Sequence, residues 1–183
     1  RVGQVLDQLE EPARWFSRKL GRTLLLLSQY IPEEAITSAF QVSEEDLKKR
    51  AQRHKEVDDD LTAYSNALDE VRAELREYRA YLLLALAVKG TATAEDFLSD
   101  YIDSEERELR ASAAISLLFY GNQRAIWMLR EESQSLPEPY SERLTNLISL
   151  GISRSEQQDK IIDLDEAAQQ RPARTPRNRT HET

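Results

Sequence analysis

Between Ser43 and Lys89 the chain has neither Gly nor Pro, and Val57, Leu61, Tyr64, Leu68, Val71, Leu75, Tyr78 and Leu82 follow one another at alternating steps of four and three. This is the heptad seam of a helix that presents one apolar line to a partner. Leu47 and His54 extend the line backwards past a polar Arg50. Ser43-Glu44-Glu45-Asp46 has the pattern of a capping box, in which the serine oxygen accepts from a free backbone N–H and the acid reaches back, so the helix is expected to start there. At the usual rise per residue, a continuous helix from Asp46 to Lys89 would span roughly 65 Å. That is longer than a compact domain of this size is wide, so the helix must bend or project. The run Asp58-Asp59-Asp60 supplies a cap for a second helix at such a bend.

Residues 1–31 carry a second apolar stripe, Val2, Leu6, Leu9, Ala13, Phe16, Leu20, Leu27 and Tyr30, interrupted by Thr23. The spacing predicts an amphipathic helix, weakened by Pro12 and Gly21; Pro12 is tolerable if the helix starts near Glu11, because proline fits a first turn. Pro32 then opens a short helix with Ile36, Ala39 and Phe40 on one side. Two partners are available to the heptad seam: the stripe of residues 1–31, as an antiparallel pair within the chain, or a second chain. The intrachain pair uses two stripes that are both present and is the simpler of the two.

Gly90, Gly121 and Gly151 stand 31 and 30 residues apart. Seven positions before each are Leu83, Ala114 and Leu144; four before, Leu86, Leu117 and Leu147; three before, Ala87, Leu118 and Ile148. These offsets put one apolar stripe on a helix that ends at the glycine, where the left-handed conformation costs Gly little. A second helix shares Leu98 and Leu129. The third unit departs from the pattern, with Asp159 at that place and Ile161, Ile162 and Leu164 later, as a terminal unit of a repeat array does. The middle unit, DSEERELRASAAISLLFYGNQRAIWMLREE from Asp103 to Glu132, resembles a short HEAT-like repeat. The likeness rests on Asp103 at the first helix's start, Leu109-Arg110, the small Ala111 and Ala114, Leu117, Leu118, Gly121, Ala125, Ile126 and Leu129. It covers residues 77–165 and implies an α-solenoid that binds other proteins on its face and has no chemistry of its own.

Composition agrees with helices. Gly and Pro total 5 and 6 of 183 residues, too few for the turns of a sandwich or barrel, and the charged content of 32% suits solvated helix faces. The net charge of −8 is uneven. Residues 91–170 carry 7 basic and 16 acidic side chains, whereas the last thirteen carry 4 and 1. An acidic body is expected to repel nucleic acid and anionic lipid, because counterion release and surface potential drive such binding. The tail, with Arg171, Arg174, Arg177 and Arg179 between Pro172 and Pro176, has no large apolar residue and is expected to be disordered. Asn178-Arg179-Thr180 matches a glycosylation sequon but carries no weight without a secretory context. Near the N-terminus, Arg14, Trp15, Phe16, Arg18, Lys19 and Arg22 cluster as a membrane-surface helix would, although Asp7, Glu10 and Glu11 dilute the charge and favour packing into the domain. The leucine run Leu24–Leu27 is far too short to cross a bilayer. The chain opens on Arg1, which suggests an upstream segment such as a signal peptide or anchor.

Candidate chemistry is thin. There is no cysteine, the two histidines, His54 and His181, lie far apart, and no glycine-rich phosphate loop occurs. No carboxylate pair is marked out as buried, so no enzyme, metal site or cofactor is expected; Asp58–Asp60 read as a cap or solvated face, because neighbouring residues on a helix diverge. Phe119, Tyr120, Trp127 and Met128 form the densest group of interface-type residues in the repeats. A hairpin buries one stripe only, so Tyr120 and Trp127 are expected to point outward and, with Arg124, to bind a protein partner.

The expectation is therefore an all-α chain. A helical hairpin or coiled-coil arm (1–76) leads into HEAT-like repeats (77–165) and a disordered basic tail (166–183). Its expected role is a non-enzymatic scaffold or adaptor. The alternative is an oligomerisation or spacer module, with a homo-oligomer formed through the heptad helix, such as the soluble domain of a membrane-anchored bacterial envelope protein. Neither nucleic acid nor a membrane span is expected.

Overall fold

The computed structural model describes residues 2–54 and 61–169, and every regular element among them is a helix. In chain order these are α1 (Val2–Glu10), α2 (Pro12–Trp15), α3 (Arg18–Leu27) followed by a 3-10 turn (Ser28–Tyr30), α4 (Glu33–Ser38), α5 (Glu44–His54), α6 (Leu61–Leu86), α7 (Ala92–Ser99), α8 (Arg107–Leu118), α9 (Gln123–Ser135) and α10 (Tyr140–Gln169). None is long and apolar enough to cross a membrane, among the described residues.

The first stripe is three short helices rather than one. Pro12 sits in the first turn of α2, where its missing N–H costs nothing, and Phe16 and Ser17 are extended. Ser17 Oγ then accepts from Leu20 N at 3.0 Å and starts α3 afresh. The helical phase is thereby reset: of the expected stripe Leu9, Phe16 and Leu20 are buried and Leu6, Ala13 and Leu27 half-buried, but Tyr30 is exposed, and Val5 and Leu24, outside the stripe, reach the core instead. The short helix after Pro32 forms as expected, with Ile36, Ala39 and Phe40 buried. The capping box also forms: Asp46 N donates to Ser43 Oγ at 3.2 Å and Ser43 N to Asp46 Oδ2 at 3.3 Å.

The long heptad segment divides into α5 and α6, which pack against each other. Asp58–Asp60 and Val57 lie outside the described residues. Val71, Leu75, Tyr78 and Leu82 are buried within the chain and Tyr64 and Leu68 half-buried, because α6 has α3, α5 and α8 around it.

Cross-helix contacts fix how these helices lie. Arg18 pairs with Glu77, Arg22 Nε donates to the Tyr81 hydroxyl at 3.0 Å, and Lys89 Nζ donates to the carbonyls of Ser28 and Ile31. The partners' numbers rise together, so α3 runs beside the second half of α6 in the same direction, which corrects the expected antiparallel pairing of the two stripes. Ser116 Oγ donates to Leu83 O at 2.8 Å and Tyr120 Oη to Leu86 O at 2.7 Å, which sets α8 on the other side of α6 in the same sense. Gly21 allows the first of these approaches: a Cβ there would lie 2.8 Å from Tyr81 Cδ2.

The repeat glycines do not all act alike. Gly90 and Gly121 have φ of 67° and 71°, the left-handed conformation expected of a helix-ending glycine. After α8 the bonds Gly121 N to Leu118 O and Asn122 N to Leu117 O, both 3.1 Å, close a Schellman motif. Gly151 instead lies inside α10, against Leu118, whose Cβ an added methyl would meet at 2.8 Å. The expected stop at Gly151 is therefore corrected: Gly there serves close packing, and the helix continues to Gln169. Residues 166–169, expected in the tail, are helical, and the arginines of the tail, the sequon and His181 lie outside the described residues. Asp103 likewise precedes α8 by several residues instead of opening it.

Core residues from Val5 to Ile148 form one connected cluster, crossed at residues 76–77 by the uninterrupted α6. Leu117, fully buried four residues before Gly121, should cost about 2–5 kcal/mol on replacement by Ala. Urea unfolding measures it, and a wild-type midpoint would contradict the packing described. Tyr78 Oη, in contrast, is buried with no hydrogen-bond partner among the described residues, and burial raises its pKa. Tyr78→Phe keeps the ring against Phe16 and removes the stranded hydroxyl, so it should be neutral or stabilising by up to about 2 kcal/mol in the same assay.

Candidate protein-docking surface

The α8–α9 hairpin begins at Glu106, turns at Gly121 and restarts where Asn122 Oδ1 accepts from Ala125 N at 3.1 Å. Its buried line is Leu109, Ala113, Leu117, Ala125, Ile126 and Leu129. On one side the space between the helices is not filled. A groove remains there, lined by Ala111, Ala114, Met128 and Leu129 and edged by Arg107, Arg110 and Glu132. Arg107 Nη2 and Glu132 Oε1 close one end of it at 3.0 Å, and Arg110 is fixed by donating to Ser104 O at 2.6 Å.

Ala111 also borders a second depression that runs over α6 to α3, lined by Ala80, Tyr81 and Leu84 with Arg18, Glu77 and Glu108 at its margins. Ala80 and Ala111 are 31 residues apart, the interval between Gly90 and Gly121. An alanine ten residues before its glycine thus lines each depression, Ala111 in both and Ala80 in the second.

The three residues expected to bind a partner are placed differently. Trp127 is 59% exposed, as expected, on the solvent side of α9 next to the groove residue Met128. Arg124 is exposed but held by an ion pair with Asp103. Tyr120 does not point outward. Its ring is half-buried against the core, and its hydroxyl donates to Leu86 O and accepts from Gly90 N at 3.1 Å. Burial raises its pKa, while the Gly90 N–H acts in the opposite direction.

Lys89 is the residue that sequence reasoning missed. Like Tyr120 it stands immediately before a left-handed glycine, and like Tyr120 it reaches back to carbonyls that end the preceding helix, here Ser28 and Ile31. Ser28 O also accepts from Ile31 N at 3.3 Å and Leu86 O from Lys89 N at 3.1 Å, so each side chain adds a second donor at the end of a helix or turn, where carbonyls are short of partners. Burial lowers the Lys89 pKa, opposed by Glu33 and Glu34. The shared signal was the position before the glycine, and the two side chains look unrelated until their donors are compared. Leu150, at the same position in the third unit, cannot donate and is 61% exposed.

Electrostatically the surface is mixed. Its charges are mostly tied in pairs, and among the described residues no group of three or more His, Asp or Glu side chains is arranged to hold a metal ion. Such a surface offers apolar area with fixed polar margins, the composition suited to binding another protein.

Tyr120→Phe tests the cross-helix cap. It leaves the fully buried Leu86 without that donor and should lower stability by about 1–2 kcal/mol in urea unfolding, with helix content unchanged. An unaltered midpoint would show that the hydroxyl contributes nothing.

No family model matches this sequence, and neither a curated protein nor a solved structure matches it.

Proposed function

We propose that the chain is a non-enzymatic scaffold or adaptor, a short HEAT-like stack of helices that holds a protein partner along the α8–α9 surface. The observation that carries this reading is the uncovered groove over Ala111 and Ala114, with Met128 in its wall and Trp127 exposed beside it. Aromatic and long apolar side chains supply most of the energy of protein interfaces, and apolar area left open to water favours a covering partner. The arrangement of α3, α6 and α8 side by side, with Lys89 and Tyr120 capping from equivalent positions, supports the stacked-repeat reading of the scaffold. Acidic charge over residues 91–170 would steer a basic partner and make association sensitive to salt.

The test uses the full chain as bait and two variants, Trp127→Ala and Ala111→Phe, the second filling the groove from an exposed position. Thermal melting checks that both remain folded. Quantitative capture from a native extract should show the same partners lost by both, by at least about tenfold if either is a binding hot spot. Retention of every partner by both variants, with loss on truncation after Gln170, would assign binding to the basic tail and reject the groove.

A further inference from the structure

Helix α3 has a second face that the core does not use. Leu20, Gly21, Leu24 and Ser28 are buried, and on the opposite side Lys19, Leu26 and, in the 3-10 turn that follows, Tyr30 are exposed, Leu26 to 80% and Tyr30 to 63%; Arg22, also exposed, stands at the edge of this face with its Nε on the Tyr81 hydroxyl. Trp15, 43% exposed, stands just ahead of them with the Arg14 guanidinium 4.9 Å from its ring centre. Three of the seven large hydrophobic residues exposed among the described residues, Trp15, Leu26 and Tyr30, therefore occur within one stretch of sixteen residues. Packing does not explain them, because α6 takes the other side of α3 and α1 leaves an open groove beside Lys19, Thr23 and Leu26, with Asp7 the one acid in its wall.

The charge of this stretch is opposite to that of the chain. Residues 12–32 contain four basic side chains, Arg14, Arg18, Lys19 and Arg22, and no acid, in a protein with net charge −8. Arg14 and Arg18 are partly compensated by Glu11 and Glu77, and Arg22 donates to the Tyr81 hydroxyl with its charge also felt by Glu77, whereas Lys19 makes no ion pair among the described residues. Cations alternating with an exposed leucine, and aromatic residues at both ends, match the chemistry of a bilayer interface: the aromatic rings sit at headgroup level, the leucine enters the acyl boundary and the cations meet lipid phosphates. Distant acidic charge is screened within about 8 Å at physiological ionic strength, so a local cationic stripe can act although the body as a whole repels anions.

We propose that the outer face of α3, with Trp15, is a docking surface for an anionic membrane, on which the chain lies peripherally through Lys19, Arg22, Leu26 and Tyr30. The packing reading of this segment and the membrane-surface reading are thereby both accommodated, one on each side of the same helix. This inference is independent of the groove on α8 and α9.

Co-sedimentation of the full chain with vesicles tests it, comparing a 30:70 mixture of phosphatidylglycerol and phosphatidylcholine with phosphatidylcholine alone. Binding is expected to the anionic vesicles only and to weaken with added salt. Lys19→Glu combined with Arg22→Glu should reduce it by at least about tenfold, since each cation near such a surface contributes about fivefold. Leu26→Asp, at a solvent-exposed position, should also reduce it with the melting temperature unchanged. In a Trp127→Phe background the emission of Trp15 should shift to the blue on vesicle binding. The inference is overturned if the chain fails to bind anionic vesicles at low salt. It is equally overturned if both variants bind like the wild type while truncation after Gln170 abolishes binding, or if the Trp15 spectrum does not move. Loss of vesicle binding in the α3 variants with partner capture intact would separate the two surfaces.

Discussion

Everything in this protein is arranged around the burial of the second half of α6. Tyr78, Leu82, Leu83, Ala85 and Leu86 are inaccessible to solvent because α3 and α8 lie along two sides of the helix in the same direction as it runs. Helices can approach so closely only where one surface is small. Gly21 receives Tyr81, and the Ser116 side chain turns its hydroxyl into the Leu83 carbonyl instead of projecting a bulky group. Widening either contact would open the core on that side of α6, which is why a single glycine and a single buried serine have more structural weight than their number suggests.

Polar contacts then set the level at which the helices stop. Carbonyls at a helix end are short of donors, and at two such places a side chain from far along the chain supplies one beside the backbone, Lys89 at Ser28 and Tyr120 at Leu86. Arg79 performs a related task between α6 and the segment before α5, donating to the carbonyls of Phe40 and Val42 and lying over the Phe40 ring, with burial lowering its pKa. These bonds hold the α4–α5 connection against Phe97 and Tyr101, so the aromatic cluster and the capped helix ends lock together.

The two surfaces left open follow from where this packing ends. On α8 and α9 the alanines that let helices come together also leave a groove where no further helix fills it. On α3 the outermost helix has only part of α1 beyond it among the described residues. In both places apolar residues remain in water beside fixed or free cations, a protein-binding composition in the first case and an interfacial one in the second.

Periodicity made the helical class, the capping box at Ser43, the glycine-ended helices at Gly90 and Gly121 and the buried line through Leu86 and Leu117 legible from the sequence, because each depends on residues within a few turns of one another. The outward side of Trp127 was legible for the same reason. Tyr120 and Gly151 were not. A tyrosine on a half-exposed turn has the same local pattern whether its hydroxyl meets water or a carbonyl 34 residues earlier, and a glycine in a helical stretch reads as a stop until a neighbouring side chain is found where its Cβ would be. The breaks at Pro12 and Ser17 were hidden too, since a stripe of apolar residues keeps its spacing on paper even when the helix is reset between them. Local order is encoded by neighbours along the chain. Which donor satisfies which helix end, and which face is left to solvent, was decided only when helices distant in sequence came together, because those energies belong to pairs of residues that the chain does not place side by side.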